Sequence, residues 1–390
     1  MYLSLLGLKT KEISMMQTVH KFLITGNSDT FYIRSFIEYV LVPLGYDIYV
    51  QQDTKGFVEF YDKYNVHFIK TAPKRFIFAL PKIGTVLRFI LNTYYLLRAR
   101  PFEFIHIQFV TKRLLKQALF IKTENTKVVA SFWGSDLLRQ KKKYLFSELD
   151  MLNKLDFISG DAYILQDKYN EIFPSAKNAL NVIYYGVTLF PYIDKCLLTK
   201  DTLKPELGIS KDKIIVSIGY NAGWFQQHDK VIRSLMTLSQ KEKNRYVLFL
   251  QLYAARTDET YFASLLKMLE ISGFEYRIYD KYISNDDMAK LRVVTDIFIN
   301  AQTTDAFCNT IKEYMYAYTH IINASWLHYP EIDKFGLNVF EFKSFSEIPA
   351  LLDSRLSDRE LESNRAIIAK EGSWDTCREK WTAVYCRKDQ

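Results

Sequence analysis

The stretch of this 390-residue chain best equipped for chemistry runs Asp-Ile-Phe-Ile-Asn-Ala-Gln-Thr-Thr-Asp-Ala-Phe-Cys-Asn-Thr-Ile-Lys-Glu-Tyr-Met, residues 296–315. The apolar run ending at Asn300 reads as a buried strand, and Gln302 to Asp305 as a polar loop. Asn309 reads as the N-cap of a following helix. That order sets Asp305 above a strand end and Glu313 about one turn into the helix. The two carboxylates can then face one pocket from different elements. Free N–H groups at Cys308, Asn309 and Thr310 would form an anion site suited to phosphate. A carboxylate beside that site can accept bonds from sugar hydroxyls. Taken in isolation, Asp305 also suits a turn and Glu313 a solvated helix face; the neighbouring pattern favours a site.

A second constellation lies in the first half. Ser131-Phe132-Trp133-Gly134-Ser135-Asp136 follows another strand-like run. Trp133 offers an apolar wall for a sugar ring, and Asp136 a hydroxyl acceptor or base, or equally a helix cap. Asn27, Ser28 and Asp29, just past the first strand, are candidates for acceptor contact. His106 sits inside a strand pattern and reads as a core histidine. His228 and His320 have no partners at metal-ligand spacing and no Asp-x-Asp pair occurs, so no metal is expected.

Strand-like and helix-like runs alternate along the whole chain. His20–Thr25, a helical pattern through Ile33, Ile37, Val40 and Leu41, and Tyr46–Val50 make a strand–helix–strand unit, which predicts a parallel sheet. Strands at 104–109, 127–132, 157–159 and 181–184 continue it. Residues 186–213 lose this periodicity around Pro191 and Pro205 and read as a linker. A second series follows, with strands at 213–218, 246–250, 276–279, 296–300 and 320–323. The prediction is α/β: two Rossmann-like doubly wound domains facing across a cleft, spanning residues 1–190 and 213–370. Residues 191–212 join them, and a C-terminal helix occupies 371–390. Ligands of open α/β sheets bind outside the strand C-termini, here in the cleft.

Composition excludes several classes. Hydrophobic residues are 48% and charged residues 25%, which rules out a disordered chain. Four cysteines without a C-x-x-C pair make neither a disulfide framework nor a structural zinc site, and favour a reducing compartment. No apolar run spans a bilayer, and the N-terminus lacks a signal-peptide pattern. The net charge of +8 is concentrated: residues 51–150 hold 18 Lys+Arg against 8 Asp+Glu. Lys74, Arg75, Lys82, Arg88, Arg98, Lys112, Arg113, Lys116 and Lys141–Lys143 punctuate apolar and aromatic residues there. Such a face suits an anionic lipid surface, although a buried helix with solvated lysines has the same composition. It matches no nucleic-acid module. The expected location is cytoplasmic, peripherally on the inner face of the cell membrane.

The run from Asp305 to Tyr318 resembles the signature of glycosyltransferase family 4, an acidic residue and a glutamate eight positions apart, ahead of a small-residue turn. Asp305 stands for the usual first Glu, and Cys308 and Tyr318 for usual glycines. The resemblance implies the GT-B fold, with Glu313 on the ribose of a nucleotide-sugar and Asp305 near the donor sugar. The loop Gly219-Tyr220-Asn221-Ala222-Gly223-Trp224-Phe225-Gln226-Gln227-His228 lacks the Arg and Lys that family 4 places there. It is more similar to the bacterial transferase adding 4-acetamido-4,6-dideoxygalactose to a lipid-linked intermediate of enterobacterial common antigen, and to capsule-cluster transferases. The diphosphate would then be met by loop amides, Asn221, Gln227 and Arg256 or Lys281. Tyr282 occupies the place of the nucleotide base, and Thr304, Phe307, Cys308, Asn309 and Thr310 complete the donor site. The Trp133–Asp136 element resembles the Trp-Gly-Ala-Asp element of these enzymes. Their last helix crosses back to the first domain.

The resemblance implies a sugar transferase for bacterial surface polysaccharide, using a nucleotide-diphosphate sugar, no other cofactor, and a glycan or polyprenyl-diphosphate-linked acceptor. A nucleotide-sugar epimerase of the same architecture and a non-catalytic nucleotide- or glycan-binding subunit are the alternatives.

Overall fold

The computed structural model describes residues 20–26, 30–51, 57–72 and 83–386. Its frame is two parallel sheets, one per lobe. The first holds seven strands: β1 (Lys21–Thr25), β2 (Asp47–Gln51), β3 (His67–Ile69), β4 (Phe104–Gln108), β5 (Lys127–Phe132), β6 (Phe157–Gly160) and β7 (Leu180–Val182). They lie in the order β3-β2-β1-β4-β5-β6-β7. The second holds six: β8 (Ile214–Ile218), β9 (Tyr246–Gln251), β10 (Glu275–Tyr279), β11 (Ile297–Asn300), β12 (His320–Ala324) and β13 (Phe340–Phe342), ordered β10-β9-β8-β11-β12-β13. Both orders reverse beside the first strand of the lobe, where β1 pairs with β2 and β4 and β8 pairs with β9 and β11. The central strands are almost wholly apolar because helices cover both faces. The sequence reading lacks β3 and β13, two edge strands of three residues, too short to show a period.

Residues 191–212 are not an irregular connection. Helices Phe190–Lys195 and Lys200–Glu206 occupy most of the stretch. Leu203 and Ile209 join Ile215, Val247 and Phe249 in a core of the second lobe, and Lys200 and Lys204 pair with Asp296 at 3.2 and 3.1 Å. The prolines that suggest a loop differ in cost: Pro191 sits in a first turn, where no N–H is needed, whereas Pro205 lies inside its helix and removes one i→i−4 bond near the end.

The helix Trp374–Tyr385 packs on the first lobe. Trp381 and Tyr385 meet Phe36 and Phe22 edge-on at ring distances of 5.0 and 5.1 Å. Tyr385 Oη also bonds His106 Nδ1 at 2.8 Å, and burial pushes the His106 imidazole down to about 3, so this core histidine is neutral. Among the described residues, no helix is long and apolar enough to cross a membrane.

Candidate active site

Strand ends β8, β9 and β10 and the start of the helix Asn309–Tyr316 enclose a cavity of about 280 Å³. Tyr220, Tyr253, Lys281, Tyr282, Thr310 and Glu313 line it, with Phe31 of the first lobe opposite. Glu313 is held rigidly. Arg292, from the helix Asn285–Val294, reaches Glu313 Oε2 with Nε and Nη2, both at 2.9 Å. Arg292 Nη1 also donates to Tyr314 Oη at 2.9 Å; Gln251 Nε2 donates to the same oxygen, which itself donates to Ser217 Oγ at 2.7 Å. Both Arg292 contacts end on Glu313 Oε2, and Glu313 lines the cavity. Burial raises the Glu313 carboxyl, while the Arg292 guanidinium pulls it back.

A second cavity of about 160 Å³ shares Tyr220 with the first and is built by both lobes. Tyr32, Trp133, Arg139 and Asp161 come from the first lobe, Thr304, Asp305 and Cys308 from the second. Trp133 is pinned by its Nε1–H to Gln108 Oε1 at 2.8 Å. Asp305 Oδ2 accepts from Tyr329 Oη at 2.6 Å and from the Cys308 N–H at 3.4 Å. Arg139 ties the lobes together, donating to Thr304 Oγ1 at 2.9 Å and to its carbonyl at 3.1 Å, with its guanidinium 4.5 Å from the Phe225 ring centroid. Among the described residues, no group of three or more His, Cys, Asp or Glu is placed to hold a metal ion.

No family model matches the chain. The glycosyltransferase-like YtcC of Bacillus subtilis is 24% identical over 275 residues, covering 68% of this chain and 66% of that protein, just under two thirds of its length. A glycosyltransferase of Rickettsia africae superposes with a TM-score of 0.74 at 14% identity, covering 94% of this chain and 98% of that one. HepE of Anabaena, solved with UDP and glucose, gives 0.69 at 15% identity, covering 94% and 99%. The fold is GT-B.

Within this GT-B cleft the expected residues separate. Glu313, Thr310, Tyr220 and Tyr282 line the first cavity, and Asp305, Thr304, Cys308 and Trp133 the second, again with Tyr220. Gly219 lies beside the cleft at φ 60°, and a Cβ there would come within 2.7 Å of His228 Nε2, so only glycine fits. Several expectations are corrected. Asp136 is a bracket for main chain: it accepts the N–H groups of Val110 at 2.8 Å, Trp133 at 2.9 Å and Gly134 at 3.0 Å, and lines neither cavity. Burial nevertheless pushes its carboxyl up to about 6, against those three donors. Gln227 donates to the Ala301 carbonyl and accepts from Lys230, so both ends of its amide are taken. Asn221 holds the Gly223 N–H at 2.9 Å. Arg256 pairs with Glu259 and lies 3.5 Å over Phe262, away from both cavities. Phe307 turns into the protein against Tyr329 and Lys312. The helix N-cap is Cys308, and Asn309 is the first helical residue, outside both linings. Asn27, Ser28 and Asp29 lie outside the described residues.

The structure adds Arg292, Gln251, Tyr253, Arg139 and Asp161. Gln251 closes β9 and Tyr253 lies just beyond it, and Asp161 stands just past β6 much as Asp136 stands past β5.

Proposed function

We propose that this chain is a glycosyltransferase that moves a sugar from a nucleotide diphosphate to a glycan or polyprenyl-diphosphate-linked acceptor in bacterial surface polysaccharide synthesis. The observation that carries this reading is the Glu313–Arg292 pair, which fixes one oxygen of a carboxylate that lines a cavity between lobes. A carboxylate so held suits the two hydroxyls of a ribose. Tyr253 and Tyr282, 6.0 Å apart in an edge arrangement, offer flat surfaces for a base. Lys281 and the helix N-terminus at Thr310 suit the diphosphate. The sugar then reaches the second cavity, where Asp305 and Trp133 offer a hydroxyl acceptor and an apolar wall. That HepE is solved with UDP and glucose in the same fold supports such a donor. Catalysis is positioning and electrostatic stabilisation of the departing diphosphate in a cleft that excludes water.

A lipid-linked acceptor accords with one surface of the first lobe. The helix Ile83–Ala99 exposes Ile83, Val86, Ile90 and Tyr94 as a stripe, and the neighbouring helix Lys112–Ile121 adds Phe120. Arg98, Lys112, Arg113 and Lys116 are exposed on these helices, with Arg100 exposed just past the first. This composition suits the headgroup boundary of an anionic membrane. Of the lysine run 141–143, Lys142 is already paired with Glu171 at 2.7 Å.

The test is to incubate the protein with UDP-, GDP- and dTDP-sugars, with and without bacterial lipid extract. Release of nucleoside diphosphate that requires the extract is expected. Sugar interconversion without extract, or binding without product, would overturn the transferase reading. Ile90→Glu with Phe120→Glu is expected to reduce sedimentation with phosphatidylglycerol vesicles; unchanged sedimentation would remove the membrane face and leave the transferase.

A further inference from the structure

We infer that Gln108 is a positioning residue for the sugar, a deepening that rests on the transferase reading: it sets the Trp133 wall of the second cavity and is itself held, through His106, by Tyr385 of the C-terminal helix. His106 and Gln108 stand two apart on β4, so their side chains share one face of the first sheet. Both are fully buried. Polar groups inside an apolar sheet cost stability unless they are bonded, and here each side-chain nitrogen and oxygen of the two has a partner. Gln108 Oε1 accepts from Trp133 Nε1–H at 2.8 Å and from Tyr185 Oη at 2.6 Å. An indole N–H only donates, so the amide oxygen faces Trp133 and the amide nitrogen faces His106, whose Nδ1 is 3.3 Å away. That Nδ1 is therefore an acceptor, also for Tyr385 Oη at 2.8 Å. The imidazole proton then sits on Nε2, which donates to Ser131 Oγ at 2.7 Å. Each group in this chain leaves its neighbour one orientation.

The chain ends at the cleft. Trp133 lines the second cavity, whereas Gln108, His106 and Tyr385 do not. Tyr32, which also lines that cavity, lies 5.2 Å from the Trp133 ring, and Phe109 meets it edge-on at 6.2 Å. Phe109, the residue after Gln108, is held at φ 68°. A phenylalanine in that left-handed region is strained and persists only where its surroundings over-determine it. A buried polar chain adds little stability over apolar side chains of the same shape. What this one adds is a fixed plane for the indole that a sugar would pack against.

Gln108 touches neither substrate nor reacting atoms. It acts through Trp133, and Tyr385 acts through both. A misaligned wall misplaces the anomeric carbon of the donor relative to the acceptor, which slows the reaction. The nucleotide end of the donor belongs to the first cavity, whose lining includes no member of this chain, so nucleoside diphosphate binding is blind to it.

The experiment compares the full-length wild type with Gln108→Leu, Gln108→Glu and Tyr385→Phe, using the same nucleotide-sugars and lipid extract, and repeats Gln108→Leu and Tyr385→Phe in a Trp133→Phe background. Gln108→Leu is expected to lower the rate of transfer about 10- to 100-fold, while affinity for UDP, GDP and dTDP by calorimetry stays within about twofold. Gln108→Glu keeps an acceptor for Trp133 and Tyr185 and should restore part of the rate. Tyr385→Phe deletes one hydroxyl and should cost about three- to tenfold. In the Trp133→Phe background neither change should lower the rate further, because both act through the indole; a merely structural role would repeat its loss there. If Gln108→Leu does not fold, Tyr385→Phe carries the same comparison. A wild type that transfers beside folded variants within about twofold of it, or losses that recur in full without the indole, overturns the positioning role alone. A wild type that transfers from none of these donors overturns the transferase reading and the positioning role with it.

Discussion

On the second lobe's wall of the cleft, Glu313, Arg292, Tyr314, Gln251 and Ser217 form one continuous chain of buried hydrogen bonds. On the first lobe's wall, Asp136 is consumed by main-chain donors while Asp161 Oδ1 is buried without a partner among the described residues. Both walls bury acids beside strand C-termini, yet of these three only Glu313 is locked by a guanidinium. The difference teaches that a buried acid at a strand end announces nothing by itself; what its oxygens touch decides whether it holds the fold or holds a ligand. A preorganised wall suits a donor whose ribose and diphosphate recur in every turnover.

The comparison is most sharply broken at Arg292. Arg292→Met leaves Glu313 buried without its counter-charge and is expected to cost about 3–5 kcal/mol of stability, measured by urea unfolding. A loss under about 1 kcal/mol would mean that the network is not a unit. Next comes Glu313→Gln, which keeps the shape but removes the charge. Donor affinity by calorimetry should fall roughly 10- to 100-fold, the worth of a hydrogen bond to a charged group. Asp136→Asn should do the opposite: a loss of about 1–3 kcal/mol in stability, because a main-chain donor loses its acceptor, with donor affinity unchanged. Weakened donor binding in that variant would erase the distinction between the two walls. The smallest effect belongs to Arg256→Ala, whose partner Glu259 is on the surface; donor affinity should match wild type within error in the same calorimetry.

Much of the frame is legible in the sequence because parallel strands buried on both faces are apolar runs, and the run at 296–300 is one. The edges β3 and β13 are too short to show a period, and the helices at 190–206 hide behind Pro191 and Pro205, one in a first turn and one inside a helix. Glu313 and Tyr282 both line the first cavity, Tyr282 just past the end of β10 and Glu313 on the helix that follows β11. The main-chain bonds of Asp136, Gln227 and Asn221 are not legible for one physical reason: polar loop residues can serve either a ligand or nearby main-chain groups, and sequence does not say which claim wins. Arg292 escapes notice because its partner is 21 residues away on another helix, a contact that only the packing of the lobe creates.

The claim that Glu313 grips the donor's ribose is tested most directly by a chemical double-mutant cycle. Calorimetry would compare a nucleoside diphosphate with its 2′,3′-dideoxy form on wild type and on Glu313→Ala. The account predicts that removing the hydroxyls weakens binding to wild type by about tenfold or more and hardly matters in the variant. Equal losses in both proteins would contradict it.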